Sequence, residues 1–176
     1  MSAMLNVSNA LKDPGQAYPF KVSVELEPME VLGDTIAFSD IVAEGEYLCT
    51  GERVAFNGAV TANVNAHCAR CLEPVRTSIN AELDAVFARQ ADPDDPDLYL
   101  FELSKVELTD AVKDALLLAL PLRFLCSEDC KGLCPVCGVN LNTGSCTCQE
   151  GEVTNPFSAL KAFVQGAQDA SEFEEV

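Results

Sequence analysis

Cysteine spacing is the strongest chemical feature of this sequence, which contains nine cysteines and one histidine. Cys134 and Cys137 form a C-x-x-C pair that precedes Gly138, and Cys146 and Cys148 form a second pair after a short loop. Two thiolates on a tight turn can bind one ion at about 2.3 Å, and a glycine supplies the left-handed backbone that such a turn needs. These four cysteines predict a structural zinc site.

A second zinc site is predicted from paired cysteines that lie further apart in the chain. Cys68 and Cys71 form another C-x-x-C pair, and Cys126 and Cys130 follow much later. A helix predicted before Cys126 must pack on the sheet that carries Cys68 and Cys71, and this packing would bring the two pairs together. Another partition stays open, in which Cys130 joins the downstream group and Cys126 is a spare.

Catalytic chemistry at Cys68 and Cys71 is the alternative interpretation. Arg70 would favour a thiolate, but redox pairs of the thioredoxin type begin a helix after a strand, and this pair is predicted between antiparallel strands. His67 is next to the pair, where a histidine is more often a neighbour of a metal ligand than a ligand. No catalytic motif is evident, so no catalytic or cofactor-binding residue is predicted. Cys49 is predicted to be a small core residue.

Two long strands are predicted on either side of the Cys68–Cys71 pair. Apolar residues occupy alternate positions over residues 54–66 and again over residues 75–87, with polar residues between them. This alternation is typical of half-buried strands. We expect the two strands to pair as a hairpin with the C-x-x-C pair at its tip. Further strands are predicted over residues 20–26, 36–42 and 46–49.

Two helices are predicted in the second half of the chain. The first has Thr109 as its N-cap, ends at Pro121, and is expected to be buried on most sides because Leu117 and Leu118 widen its apolar stripe. The second begins near Asn155 and leads into an acidic tail.

These elements predict an α+β fold. Its core is antiparallel and β-rich, as a sheet or a small barrel, and it carries the long hairpin, two main helices and a C-terminal cysteine-rich zinc module. We expect residues 1–125 to form the β-rich body with its packed helix, residues 126–150 the zinc-binding module, and residues 151–176 the C-terminal helix and acidic tail. The three parts are expected to form one structural unit.

Composition limits the classes of function. The 176 residues include 28 acidic and 11 basic side chains, giving a net charge of −17, yet 48% of the residues are hydrophobic. The apolar content excludes an acidic disordered protein, and the charge argues against broad binding to DNA, RNA or anionic membranes. Residues 1–15 lack the features of a targeting segment, and the longest apolar run, residues 115–122, is too short to span a bilayer. We therefore expect a cytoplasmic protein, in which disulfides are rare.

The order of motifs resembles that of the YceD-like family, which is named for large ribosomal RNA subunit accumulation. The resemblance covers about residues 20–165. It rests on Cys68-Ala-Arg-Cys71-Leu72, Leu120-Pro121-Leu122, the segment from Cys126 to Asn142, Cys146-Thr-Cys148 and Asn155-Pro156-Phe157. It implies a cytoplasmic, non-enzymatic factor that supports accumulation of large-subunit ribosomal RNA.

The negative net charge of the chain indicates which kind of partner to expect. We expect an acidic face to bind a basic protein, such as a ribosomal protein, through complementary fields. Arg70, Arg76 and Lys131 supply at most a small local patch for RNA phosphate, and neither DNA nor a membrane is expected as a partner. A thiol redox or zinc-dependent enzyme that uses Cys68 and Cys71 is the alternative function.

Overall fold

The computed structural model describes residues 3–31 and 33–148 of the chain. Within these ranges it is strand-rich and contains two helices. The elements are β1 (Met4–Asn6), α1 (Ser8–Lys12), β2 (Ala17–Val24), β3 (Met29–Val31), β4 (Asp34–Thr50), β5 (Arg53–His67), β6 (Pro74–Ala88), β7 (Tyr99–Leu100), β8 (Lys105–Glu107) and α2 (Thr109–Ala119). The predicted α+β class is confirmed.

The strands β5 and β6 form the predicted long hairpin at the centre of the main sheet. They pair antiparallel from Arg53 opposite Ala88 to His67 opposite Pro74. The sheet has the order β2-β4-β5-β6-β7, and β3 pairs with β4 beside this path. The short β7 runs parallel to β6, whereas the other pairings of this sheet are antiparallel. The strands β1 and β8 form a separate antiparallel pair.

The alternation of the hairpin sequence sends one set of side chains into the core. Apolar residues at even positions from Val54 to Ala66 are buried in β5, and those at odd positions from Ala81 to Phe87 are buried in β6. The Phe56 ring lies at the centre, 5.3 Å from the ring centroids of both Phe20 and Phe87. The helix α2 packs on β6. Burial of this apolar face is the main stabilising contribution to the body of the protein.

Two glycines face each other at a close approach of β4 and β5. Gly45 is the register partner of Gly58. A Cβ at Gly45 would lie 2.2 Å from the carbonyl oxygen of Asn57, and a Cβ at Gly58 would lie 2.2 Å from that of Glu44. Because a carbon atom cannot approach an oxygen so closely, the strand pair requires glycine at both positions.

The helix α2 differs from its prediction in two respects. Leu108 occupies the N-cap position without a side-chain cap, and Thr109 instead accepts a hydrogen bond at Oγ1 from the Ala3 N–H at 3.3 Å. The expectation of burial on most sides is wrong, because Leu118 is 89% exposed. The helix ends at Ala119, since the residue before Pro121 is forced into an extended conformation. The second predicted helix, from Asn155, lies outside the described residues.

The chain divides into two compact units, the first ending at Gly132 and the second beginning at Leu133. The predicted boundaries after residues 125 and 150 stay predictions. Cys126 and Cys130 lie in the first unit together with the hairpin.

The longest helix among the described residues is α2. It and α1 are both too short to cross a membrane.

Candidate metal centres

The first cysteine cluster joins the tip of the hairpin to the segment after α2. Cys68 and Cys71 lie in the turn between β5 and β6, and Cys126 and Cys130 come from the chain beyond α2. The Sγ atoms of Cys68 and Cys130 are 3.8 Å apart, and those of Cys71 and Cys126 are 3.6 Å apart. All four sulfurs lie within 4.8 Å of one another. The structure thus places Cys130 with Cys68, Cys71 and Cys126.

Backbone hydrogen bonds shape the turn that presents Cys68. Its N–H donates to the carbonyl of Glu73 at 2.8 Å, and the N–H of Leu72 donates to the carbonyl of Cys68 at 2.9 Å. The Ala69 N–H donates to the carbonyl of Phe124 at 2.9 Å, which ties the hairpin tip to the segment that leads to Cys126. The turn is therefore held both internally and from outside.

Arg70 makes a second connection between the two halves of the first cluster. Its Nη1 donates to the carbonyl of Glu128 at 3.1 Å and to that of Cys130 at 2.9 Å. Gly132 lies against the Arg70 backbone with a φ of 75°, and a Cβ there would meet the Arg70 carbonyl at 3.0 Å. Sequence reasoning considered Arg70 only as a thiolate stabiliser or a phosphate contact and missed this role, for which the sequence pattern holds no signal.

The pKa values of three thiols in the first cluster are shifted in opposite directions. Burial raises the pKa of Cys68, but backbone N–H groups of Arg70, Cys126 and Cys71 outweigh it and lower that pKa to about 6. The Glu73 N–H lowers the pKa of Cys71, yet burial and the neighbouring thiols raise it to about 12. The adjacent Cys130 thiol raises the pKa of Cys126. A bound cation would remove the repulsion between thiolates, so this arrangement favours a metal ion.

The second cluster is formed within the second unit. The Sγ atoms of Cys134, Cys137, Cys146 and Cys148 lie within 4.8 Å of one another. Cys134 is buried, whereas Cys137 and Cys148 are exposed. This cluster is therefore more accessible to solvent than the first, in which three of the four cysteines are buried.

A tight turn presents Cys134 and Cys137. The Gly138 N–H donates to the carbonyl of Cys134 at 2.9 Å, and the Cys134 N–H donates to the carbonyl of Val139 at 2.8 Å. Gly138 has a φ of 75°, which confirms the left-handed conformation predicted from its position after the C-x-x-C pair. Further along, the Gly144 N–H donates to the carbonyl of Asn140 at 2.9 Å and closes the loop before Cys146.

The electrostatics of the second cluster repeat those of the first. The N–H groups of Cys137 and Val136 lower the pKa of Cys134 to about 6 against the effect of burial. The Cys137 thiol, with burial, raises the pKa of Cys148 to about 12. The Cys148 N–H lowers the pKa of Cys146, but the neighbouring thiols and burial outweigh it and raise that pKa. Each cluster thus combines one thiol of lowered pKa with two thiols of raised pKa.

The sulfur spacing fits a tetrahedral ion. Four sulfurs that bind one ion at about 2.3 Å in tetrahedral geometry lie about 3.8 Å from one another. The distances of 3.6 and 3.8 Å in the first cluster match this value, and all nine cysteines are free thiols. Both clusters can therefore hold a metal ion, with one Sγ ligand from each cysteine.

Cys49 and His67 belong to neither cluster. Cys49 is buried within β4, and its thiol donates to the carbonyl of Gly51 at 3.5 Å. His67 pairs through Nδ1 with Asp34 at 2.9 Å, and its N–H donates to the same carboxylate at 2.8 Å. These hydrogen bonds from His67 lower the pKa of Asp34. His67 thus fastens the end of β5 to the start of β4.

A β-sheet body with a four-cysteine cluster at its hairpin tip, followed along the chain by a second four-cysteine unit, defines a class of cysteine-rich α+β proteins. Comparison with known protein families identifies the family to which this chain belongs. The model of the family described as "Large ribosomal RNA subunit accumulation protein YceD" matches residues 56–164. The match covers more than half of the chain and includes all eight clustered cysteines, and the chain belongs to the YceD family.

Three curated relatives are similar to this chain, and one of them bears the name of the family. An uncharacterized protein of Mycobacterium tuberculosis is 38% identical over 95 residues, which cover 51% of this chain and 46% of the relative. The uncharacterized protein YlbN of Bacillus subtilis is 25% identical over 156 residues, covering 86% of this chain and 91% of the relative. A Zea mays protein named "Large ribosomal RNA subunit accumulation protein YCED homolog 1, chloroplastic" is 25% identical over 134 residues, covering 57% and 46%.

The aligned segment covers less than half the length of the mycobacterial and maize relatives. No solved structure matches the chain.

Proposed function

We propose that this protein is a non-enzymatic, zinc-stabilised factor that supports accumulation of large-subunit ribosomal RNA in the cytoplasm. The observation that carries the proposal is the YceD family match over residues 56–164, which spans both cysteine clusters. The maize relative bears the same description in its name. The rest of the proposal follows from the chemistry of the two clusters and from the charge of the chain.

Zinc is the metal that the ligand set favours. Four thiolates in tetrahedral geometry are typical of structural zinc sites, and they leave no open position for a substrate. An ion in the first cluster would close the loop between Cys71 and Cys126 and fix the hairpin tip on the segment after α2. Structural zinc contributes on the order of 10 kcal/mol to folding, so each ion would be an integral part of its unit.

Elemental analysis of the native protein tests the metal. We expect two zinc ions per chain, with one lost in Cys68→Ser and one in Cys137→Ser. The two variants are a matched pair, since each removes one thiol from one C-x-x-C motif. A single zinc ion that is insensitive to Cys68→Ser would refute the first site, and iron in place of zinc would refute the choice of metal.

A redox or zinc-dependent enzyme at Cys68 and Cys71 is the second candidate, and the lowered pKa of Cys68 is the observation that favours it. Against it, both thiols are buried and lie within 4.8 Å of two further thiols, an arrangement suited to a closed metal site. Thiol labelling separates the candidates. Protection of all eight clustered cysteines until a chelator is added supports a structural role, whereas rapid labelling of Cys68 in metal-loaded protein supports the enzyme.

Ribosomal RNA in cells that lack the gene tests the biological role. We expect the ratio of large-subunit to small-subunit ribosomal RNA to fall and to be restored by the wild-type gene. Restoration by Cys49→Ala, but not by Cys68→Ser, would connect the effect to the first cluster. An unchanged ratio in the deletion strain would contradict the proposed function.

A basic protein is the partner that the charge favours. The net charge is −17, and an ion bound by four thiolates adds two further negative charges at each cluster. Such a surface attracts cationic proteins and repels the phosphates of RNA. Pull-down against purified ribosomal proteins at moderate salt tests this. Binding to naked ribosomal RNA with a steep salt dependence, and to no protein, would contradict it.

A further inference from the structure

An apolar groove lies beside the first cysteine cluster, within the first unit. It has a volume of about 780 Å³ and runs between the hairpin tip and the C-terminal end of α2. Leu72 lines it on the hairpin side, and Leu118 and Leu122 line it on the helix side. Cys68 also borders it, so the groove and the first cluster share one wall.

Three leucines of the groove are unusually exposed for their size. Leu72 is 64% exposed, Leu118 is 89% exposed and Leu122 is 90% exposed. Large apolar side chains that are clustered and open to water mark interaction sites on soluble proteins, whereas scattered ones carry no such meaning. Leu72 also adopts a left-handed backbone conformation with a φ of 61°, which is unfavourable for leucine.

The groove continues into an acidic end. A second cavity of about 460 Å³ shares Val31 and Leu117 with the first and is bordered by Glu27 and Glu30. In the second cavity, two acidic side chains, Glu27 and Glu30, face one basic side chain, Lys113. In the first cavity, Asp34 already pairs with His67, and Arg123 is also present.

We propose that this groove binds a cationic, amphipathic segment of a partner protein. Apolar side chains of the segment would fill the space between Leu72, Leu118 and Leu122, and its Lys or Arg residues would lie near Glu27 and Glu30. This inference rests on the proposed function and names the surface at which its basic partner binds. The net charge of −17 disfavours a second copy of this chain as the occupant, because two like-charged copies repel each other.

Binding of defined synthetic peptides to the full-length, metal-loaded protein tests the groove. The probe is a fluorescein-labelled helical peptide with a leucine stripe and lysines on its other face, and its matched control carries glutamates in place of the lysines. Fluorescence anisotropy should show binding of the lysine peptide that weakens with salt, and at least tenfold weaker binding of the glutamate peptide.

Surface variants locate the site. L118S/L122S should weaken binding of the lysine peptide about tenfold or more, since leucines in a docking groove provide most of the apolar contact. L103S is the matched control, because Leu103 is also a leucine that is 83% exposed but does not border the groove. E27Q/E30Q should weaken binding severalfold and reduce its salt dependence. Circular dichroism and zinc content should be unchanged in all of these variants.

Three outcomes would overturn the proposal. Equal binding of the lysine and glutamate peptides would show that the partner segment is not selected by charge. Equal effects of L118S/L122S and L103S on peptide binding would show that the peptide does not bind in the groove. Dimers in light scattering that dissociate in L118S/L122S would make the groove an interface between copies. The ribosomal RNA ratio keeps these failures separate from that of the proposed function. If L118S/L122S restores the ratio in deletion cells, the groove is not needed for the proposed function. An unchanged ratio in the deletion strain would instead refute the proposed function, whatever the peptide-binding result.

Discussion

The guanidinium of Arg70 donates to the backbone carbonyl of Cys130 at 2.9 Å and thereby joins the two cysteine pairs of the first cluster without contributing a ligand. A second donation reaches the carbonyl of Glu128 at 3.1 Å. A charged donor strengthens both hydrogen bonds. Arg70 lies between Cys68 and Cys71, so it positions the later pair relative to the earlier one.

The first prediction concerns Arg70→Met, which keeps the apolar stem and removes the donors. Residues that orient metal ligands commonly contribute tenfold or more to metal affinity. We therefore expect Co²⁺ to bind the first cluster about tenfold more weakly, with the second cluster unchanged. Co²⁺ titration, followed by thiolate charge-transfer absorbance, measures both sites. Arg76→Met is the control, since Arg76 lies 3.8 Å from Asp40 on the exposed surface and should not alter either site.

The second prediction concerns metal removal. Chelation should loosen the hairpin tip from the segment after α2, because an ion in the first cluster would bind cysteines of both segments. The Ala69 amide, which donates to Phe124, should lose at least about tenfold of its protection from hydrogen exchange, and added zinc should restore it. The Val7 amide, which donates to Ser104, should keep its protection. Equal protection of Ala69 with and without metal would show that the first cluster does not hold the tip.

The third prediction concerns the close approach of β4 and β5. Gly45→Ala would place a Cβ 2.2 Å from the carbonyl oxygen of Asn57, and only separation of the strands can relieve this clash. We expect a loss of about 3 kcal/mol in the free energy of unfolding, measured with urea. Asn57→Ala, at an exposed position of the same strand pair, should change it by less than about 0.5 kcal/mol. Similar losses in the two variants would contradict the argument.

Local patterns in the sequence predicted the parts of the structure that are local in origin. The alternation over residues 54–66 and 75–87 predicted the hairpin. Alternating apolar and polar residues can be recognised within each strand, without knowledge of contacts to distant parts of the chain. The position of Gly138 after a C-x-x-C pair likewise predicted its left-handed conformation, since the turn itself requires it. The resemblance to the YceD family was likewise visible in the order of the cysteine motifs, and the family match confirms it.

Features that depend on the path of the chain in space could not be predicted in this way. The partner of Cys130 was left open, because pairing across the long segment from Cys71 to Cys126 depends on where α2 packs. The exposure of Leu118 contradicted the expectation of a helix buried on most sides. A wide apolar stripe shows that a helix has a large apolar face, but it does not show which other element packs against that face. The contact between Arg70 and Cys130 has no sequence pattern at all.

The fourth prediction separates Cys49 from the other cysteines. Its side chain is buried in the sheet and lies outside both clusters. Cys49→Ala should leave the metal content unchanged and lower the free energy of unfolding by about 1 kcal/mol, because it opens a small cavity. Cys130→Ser is the matched comparison and should lose one metal ion per chain. Loss of metal from Cys49→Ala would mean that Cys49 contributes to a site.

The fifth prediction separates docking from folding at Leu72. Its φ of 61° is unfavourable for leucine, and its side chain is 64% exposed at the rim of the groove. Asparagine tolerates the left-handed conformation, so Leu72→Asn should change the free energy of unfolding by less than about 0.5 kcal/mol. The same variant should bind the lysine peptide about fivefold more weakly, because it loses an apolar contact. Leu103→Asn is closely matched, since Leu103 is exposed and has a φ of 55° but does not border the groove. Urea unfolding and peptide anisotropy on the two variants decide the matter: equal peptide affinity in both would show that the Leu72 side chain takes no part in docking.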